Sequence, residues 1–115
     1  MKKDSNIVGG VINMSERIYT IKEIKNMLKE IFQNQPVHEA ILFGSYAKQV
    51  ATTTSDVDIL IDSRGKINGL KFYALIDMIK EKLDKNVDII EKSEVDEGSR
   101  IEKEIEQTGV VVYER

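Results

Sequence analysis

Residues 37–62 read VHEAILFGSYAKQVATTTSDVDILID, and the fold turns on how this stretch is parsed. Val37 to Phe43 predicts a strand whose apolar run, Ala40 to Phe43, suits burial on both faces, and Gly44-Ser45 breaks it. A short helix from Tyr46 to about Val50 and a polar turn, Thr52 to Ser55, follow. Val57 to Asp62 then sets Val57, Ile59 and Ile61 against Asp58, Leu60 and Asp62, the period of two that marks a strand. Working outward, Thr20 and Glu23 form a capping box, and Ile21, Ile24, Leu28 and Ile31 recur at helical spacing until Pro36 stops the helix. Downstream, Leu70 to Leu83 predicts a helix with Phe72, Ile76, Ile79 and Leu83 on one stripe, and Val87 to Ile90 a third strand. Ser99 and Glu102 form a second capping box, opening a helix with Ile101 and Ile105 inward. Gly109 is expected to end it in the left-handed conformation, and Val110 to Tyr113 is the last strand. The order αβαβαβαβ, without repeats or linkers, is that of one small α/β domain over residues 15–115, preceded by a tail at 1–14 that contains Gly9-Gly10.

The composition narrows the function. Apolar residues at 41% and charged residues at 32% of 115 give a single core with a solvated exterior. No cysteine means no disulfide, thiolate metal site or thiol nucleophile, and the single histidine, His38, excludes a multi-histidine metal centre. No apolar run approaches the roughly 18 residues of a transmembrane helix, and Ile7 to Ile12 is too short and glycine-rich for a signal peptide, so a cytoplasmic location is expected. Net charge is −3 and no lysine-arginine block occurs, which argues against a long nucleic acid as partner.

One constellation carries chemistry. Gly44-Ser45 follows a buried strand, ten residues intervene, and Asp56-Val57-Asp58 opens the next strand, with Asp88 in the strand after that. Asp56 and Asp58 leave the same face, about 7 Å apart at Cα. Asp88 reaches them if the third strand neighbours the second. Carboxylates gathered at one point repel unless a cation lies between them, and an oxygen-only set suits Mg²⁺, commonly shared with substrate phosphates. Gly44 permits close approach of the backbone to a phosphate, Ser45 can add a hydroxyl, and metal-binding acids beside a phosphate turn are what in-line phosphoryl or nucleotidyl transfer requires. A calcium loop starting at Asp56 fails at Leu60 and Ile61, and no P-loop or dinucleotide fingerprint is present.

Phe43-Gly44-Ser45-Tyr46-Ala47, the ten-residue spacing to Asp56, Ser55-Asp56-Val57-Asp58, Val87-Asp88-Ile89 and the ending Gly109 to Glu114 together resemble the minimal nucleotidyltransferases of the DNA polymerase β superfamily. The resemblance covers about residues 20–114. It implies a polymerase β-like α/β fold with a small mixed sheet flanked by helices. It also implies that Gly44 and Ser45 hold the nucleoside triphosphate and that Asp56 and Asp58 bind two Mg²⁺. Asp88 would complete the metal site nearest the acceptor hydroxyl and help deprotonate it. The implied reaction is transfer of AMP from ATP, or of another nucleotide from its triphosphate, to a hydroxyl of a partner protein. Many members of the family are antitoxins that silence a HEPN-domain toxin in this way. The sequence departs from the family where an arginine and a glycine usually stand: it has Lys48, without the bidentate fork, and Gln49, which takes a positive φ less cheaply, so the turn there is free to differ.

Blander readings attach to the remaining residues. His38 suits a partly exposed structural role, Thr52 to Ser55 a turn whose hydroxyls satisfy local amides, and Lys22, Lys25 and Lys29 a solvated helix face. Arg64 and Lys66, just past the second strand, are either a solvated loop or cations facing triphosphate oxygens. The rival to an enzyme is a catalytically inactive, nucleotide-binding antitoxin that blocks its partner by occupation. A stand-alone transferase for a small molecule would need a larger substrate-binding lobe.

Overall fold

Capping chemistry and apolar spacing place the first helix where the sequence predicts it. Thr20 Oγ1 accepts from the Glu23 amide at 3.0 Å and Glu23 Oε1 accepts from the Thr20 amide at 2.9 Å, so the box at the start of α1 (Ile21–Gln33) is closed in both directions. Ile24, Leu28 and Phe32 are its buried stripe. The computed structural model describes residues 16–115, so the expected tail at 1–14 lies outside the described residues. Along the chain follow β1 (Glu39–Phe43), α2 (Gly44–Ala47), β2 (Val57–Asp62), α3 (Leu70–Leu83), β3 (Val87–Glu91), a 3-10 turn (Lys92–Glu94), α4 (Arg100–Thr108) and β4 (Val110–Glu114).

The four strands lie in the order β3-β2-β1-β4. β1 runs antiparallel to both β2 and β4, and β2 runs parallel to β3, so the sheet is mixed. The parallel pair needs a crossover, which α3 supplies. One face of the sheet is the core. Val57, Ile59 and Ile61 of β2, with Ala40 and Leu42 of β1 and Val112 of β4, pack with the stripes of α1 and of α3, where Leu75, Ile79 and Leu83 are fully buried. Burial of each such aliphatic or aromatic side chain contributes about 1.5–3 kcal/mol. Tyr19 fastens the two helices' layer, its hydroxyl donating to the Leu83 carbonyl at 2.6 Å.

The other residues of β2, Asp58, Leu60 and Asp62, point to the opposite face, where Leu60 is buried and the end of α4 docks against Ile41. Two expectations about α4 fail here. Gly109 is not left-handed: its φ of −62° and ψ of 138° are extended. Glycine is needed for space instead, because a Cβ would sit 2.5 Å from the Ile105 carbonyl oxygen and 2.9 Å from Ile41 Cγ2. Nor does Ile101 turn inward. It is 39% exposed, because α4 meets the sheet through its C-terminal end and leaves its first turn at the surface. The second capping box is also half-formed: Ser99 accepts from the Glu102 amide, but the Glu102 carboxylate reaches the amide of Gly98 rather than that of Ser99.

Candidate active site

The acids gather because of strand register. β2 pairs with β3 so that Asp58 stands beside Asp88, which fulfils the condition on which Asp88 was assigned. Across the other edge of β2, Phe43 pairs with Asp58, so the end of β1 and the Gly44-Ser45 turn arrive at the same point. Asp56 lies just before β2 and is exposed, Asp58 is half-buried and Asp88 is exposed. Burial first, then the charges of Asp88, Asp56 and Glu104, push the Asp58 carboxyl up to about 6. Asp58 is thus the centre on which the other carboxylates press. Glu104, from α4, escaped the sequence reading. Nothing in its spacing marks it, since its place depends on where α4 docks.

Gly44 has φ +73°, and a Cβ there would run into Asp58 Oδ2. The glycine is therefore required twice, by its left-handed backbone and by the carboxylate packed against it. α2 starts directly at Gly44 rather than at Tyr46, and no side chain caps its first turn. Gln49 adopts φ +62°. The left-handed turn that glycine would favour is kept despite the substitution, at a cost of about 1 kcal/mol. Main-chain bonds hold it there: Lys48 to Gly44 at 3.0 Å, Gln49 to Tyr46 at 3.2 Å and Val50 to Ser45 at 3.0 Å. The Thr52 to Ser55 turn is self-satisfied as expected, with the Thr52 amide donating to Ser55 Oγ at 2.9 Å.

Among the described residues, no three acidic or histidine side chains already stand in a metal-binding arrangement. The donor set nonetheless fits a hard dication. It is all oxygen, and beyond the larger effect of burial the charges of Asp88 and Asp56 bear on Asp58, a repulsion that such a cation would relieve. Arg64 and Lys66 are not near it. They lie beyond the far end of β2, where Arg64 Nη2 meets His38 Nε2 at 2.7 Å, so a contact with triphosphate oxygens at Gly44 is ruled out by the length of the strand.

The family described as polymerase beta, nucleotidyltransferase matches residues 26–115. A putative protein adenylyltransferase of Methanocaldococcus jannaschii is 36% identical over 86 residues, covering 71% of this chain and 100% of the relative. The protein adenylyltransferase MntA of Thermococcus cleftensis is 36% identical over 83 residues, covering 69% of this chain and 84% of the relative. Among solved structures, a toxin–antitoxin with AMP-PNP matches with a TM-score of 0.67 and 18% identity over 79% of this chain and 73% of that one. Tri-AMPylated Shewanella oneidensis HEPN toxin in complex with MNT antitoxin matches at 0.62 and 16% identity, over 84% of this chain and 74% of that one. At such identities the structural likeness is one of fold. No helix among the described residues is long and apolar enough to cross a membrane.

Proposed function

The chain belongs to the polymerase beta nucleotidyltransferase family, and from that premise we propose that it transfers AMP from Mg-ATP to a hydroxyl of a HEPN-type partner protein in the cytoplasm, acting as that partner's antitoxin. The observation that carries this reading is the Asp58–Asp88 register, with the Gly44 main chain packed against Asp58. The relatives named protein adenylyltransferase support the choice of a protein acceptor, and the AMP-PNP and AMPylated-toxin neighbours support the nucleotide and the HEPN partner.

Gly44 and Ser45 receive the triphosphate: the glycine lets the turn lie directly against the Asp58 carboxylate, and the Ser45 hydroxyl donates to a phosphate oxygen. Asp56 and Asp58 would hold two Mg²⁺ with the phosphates, and Asp88 would complete the site nearest the acceptor. Bound Mg²⁺ supplies charge to the phosphates and lowers the pKa of the acceptor hydroxyl. The acceptor oxygen bonds to the α-phosphorus, the bond from that phosphorus to its bridging oxygen breaks, and pyrophosphate leaves with the electron pair. The Asp88 carboxylate takes the hydroxyl proton. Inhibition by occupation alone drew its support from the Lys48-Gln49 departure, and the retained turn at Gln49 weakens that support.

The test uses Mg²⁺ with a nonhydrolysable ATP analogue, then labelled ATP with the partner. The complex should melt at a higher temperature than the free protein, and Asp56→Ala should abolish that shift, because binding stabilises only the folded state. Wild-type protein that neutralises the partner while transferring no label from any of the four triphosphates would replace the catalytic reading with the occupation reading.

A further inference from the structure

At the far end of the sheet, where register brings Glu39, Asp62 and Glu114 side by side, cations gather as well. A pocket of about 180 Å³ opens where the chain enters β1 and leaves β2, lined by His38, Arg64, Lys66 and Arg115 among others. Arg115 is committed to the wall. Its Nη2 donates to the carbonyls of Phe32 at 2.9 Å and Gln35 at 2.8 Å, and its Nε to that of Val37 at 3.1 Å, facing the carbonyl end of α1. Arg64 is not committed in this way. Its Nη2 lies 2.7 Å from His38 Nε2, and because a guanidinium only donates, the imidazole nitrogen must accept and brings no negative charge.

The nearest acid in sequence does not neutralise Arg64 either. Asp62 accepts from the Arg64 main-chain amide at 3.0 Å, and its other oxygen faces Lys92 Nζ at 3.8 Å. Among the described residues the ion pairs are Arg17–Glu23 and Lys92–Asp62, so neither Arg64 nor Lys66 has a carboxylate partner, in a chain whose net charge is −3. Arg64 is moreover held at φ +53°, a conformation that few side-chain-bearing residues adopt, and this fixes where its side chain leaves the turn.

We propose that this pocket is a binding site for a single phosphate-class oxyanion. Arg64, Lys66 and His38 line it from three separate attachments, after β2, in the following turn and before β1. A guanidinium and an ammonium on one pocket suit an oxyanion of more than one charge, and the Arg64 fork can engage two of its oxygens. The site is separate from the acids. Arg64 stands six positions after Asp58, about 20 Å along extended chain, farther than one triphosphate seated at Gly44 can span. The proposal therefore does not depend on the reaction assigned to the other end. The shared chemistry is a terminal phosphoryl group, free or carried on a larger molecule.

His38 is the only histidine, so its ring protons are an unambiguous reporter in untagged protein. Orthophosphate, and separately AMP as a phosphate monoester, are titrated in phosphate-free, Mg²⁺-free buffer by NMR, with sodium chloride at matched ionic strength as control. Orthophosphate should shift the His38 ring and the amides of residues 63–66 saturably, leave Gly44 to Asp58 unmoved, and give no such curve with chloride. AMP giving the same curve would assign a phosphorylated molecule as ligand, and AMP giving none the free anion. Arg64→Asn, chosen because asparagine tolerates a positive φ, should abolish saturation. Lys66→Gln, on an exposed loop and safe for folding, should raise the midpoint about fivefold. Shifts that grow linearly, that chloride reproduces, or that survive Lys66→Gln unchanged overturn the proposal.

Discussion

The two ends of β2 solve opposite electrostatic problems with different materials. At its start, Asp58 and Asp88 are fixed by strand register, and the Gly44 main chain lies against the first of them. At its end, Arg64 and Lys66 sit on a turn, and Arg64 meets His38 only because β1 runs antiparallel beside β2. Among the described residues, neither Asp58 and Asp88 nor Arg64 and Lys66 take part in an ion pair. The acid end places Asp58 and Asp88 on hydrogen-bonded strands, where a catalytic geometry can be held closely. The basic end places its cations on a turn, which suits binding but not chemistry.

The sharpest way to break that contrast is to remove charge at the acid end. Asp88→Asn keeps the size and the strand, so nucleotide binding and partner binding should persist. Transfer of label to the partner should fall by roughly 10²- to 10³-fold, the scale for losing one group that acts mainly in the transition state. Retained transfer would mean that the register of β2 and β3 has no bearing on the chemistry. Next in size is Gly44→Ala. Even one methyl enters the space of the Asp58 carboxylate and must adopt φ +73°. A stability loss of about 2–3 kcal/mol is expected from denaturant midpoints, together with loss of the nucleotide-induced shift. Gly65, with φ +78° and nothing within 4 Å of a Cβ, is the control at the basic end: alanine there should lose only the backbone component, about 1–2 kcal/mol.

Asp58 gives the acid end a pH signature. Its folded pKa, about 6, lies above the ordinary 3.8. The folded state therefore binds the proton more tightly, and the stability this contributes is fully present below pH ~3.8 and lost as pH rises through 6. At pH 8 the ionised carboxylate is a net cost, which Asp58→Asn removes. Because the group is partly exposed, the gain should be about 1 kcal/mol rather than the ~3 that two pK units imply. Urea midpoints without Mg²⁺ should favour the variant at pH 8 and converge with wild type below pH 4. A less stable variant at pH 8 would show that neither burial nor the neighbouring carboxylates burden the ionised Asp58.

The alternation of acids with Val57, Ile59 and Ile61 made β2 and its acidic face legible, because side-chain period is a local property of a strand. The glycine-serine break was legible for the same reason. Asp88 could be placed only conditionally, since its partner depends on a parallel pairing made through α3. Glu104, the His38–Arg64 contact and the true role of Gly109 were out of reach, as each depends on how one element docks on another. Gly109 is the plainest case. A glycine after a helix suggests a left-handed cap, but the residue is extended and small because Ile41 and the Ile105 carbonyl leave no room.

The smallest effect is also the one that separates the two ends most cleanly. Each carries a side-chain-bearing residue in the left-handed region, Gln49 at φ +62° after α2 and Arg64 at φ +53° after β2. Glycine relieves that conformation while adding freedom to the unfolded chain, so Gln49→Gly and Arg64→Gly should each gain about 0.5–1 kcal/mol. If the turn at Gln49 serves only to shape the chain behind Gly44-Ser45, its glycine variant should keep full nucleotide binding and transfer. If Arg64 is held in that conformation in order to aim its guanidinium, its glycine variant should be similarly stabilised yet lose the saturable phosphate response. Stability then rises at both ends while binding falls at one. A phosphate response that survives in Arg64→Gly would leave the strain at Arg64 without a ligand to explain it, and the contrast between the two ends of β2 would reduce to the acids alone.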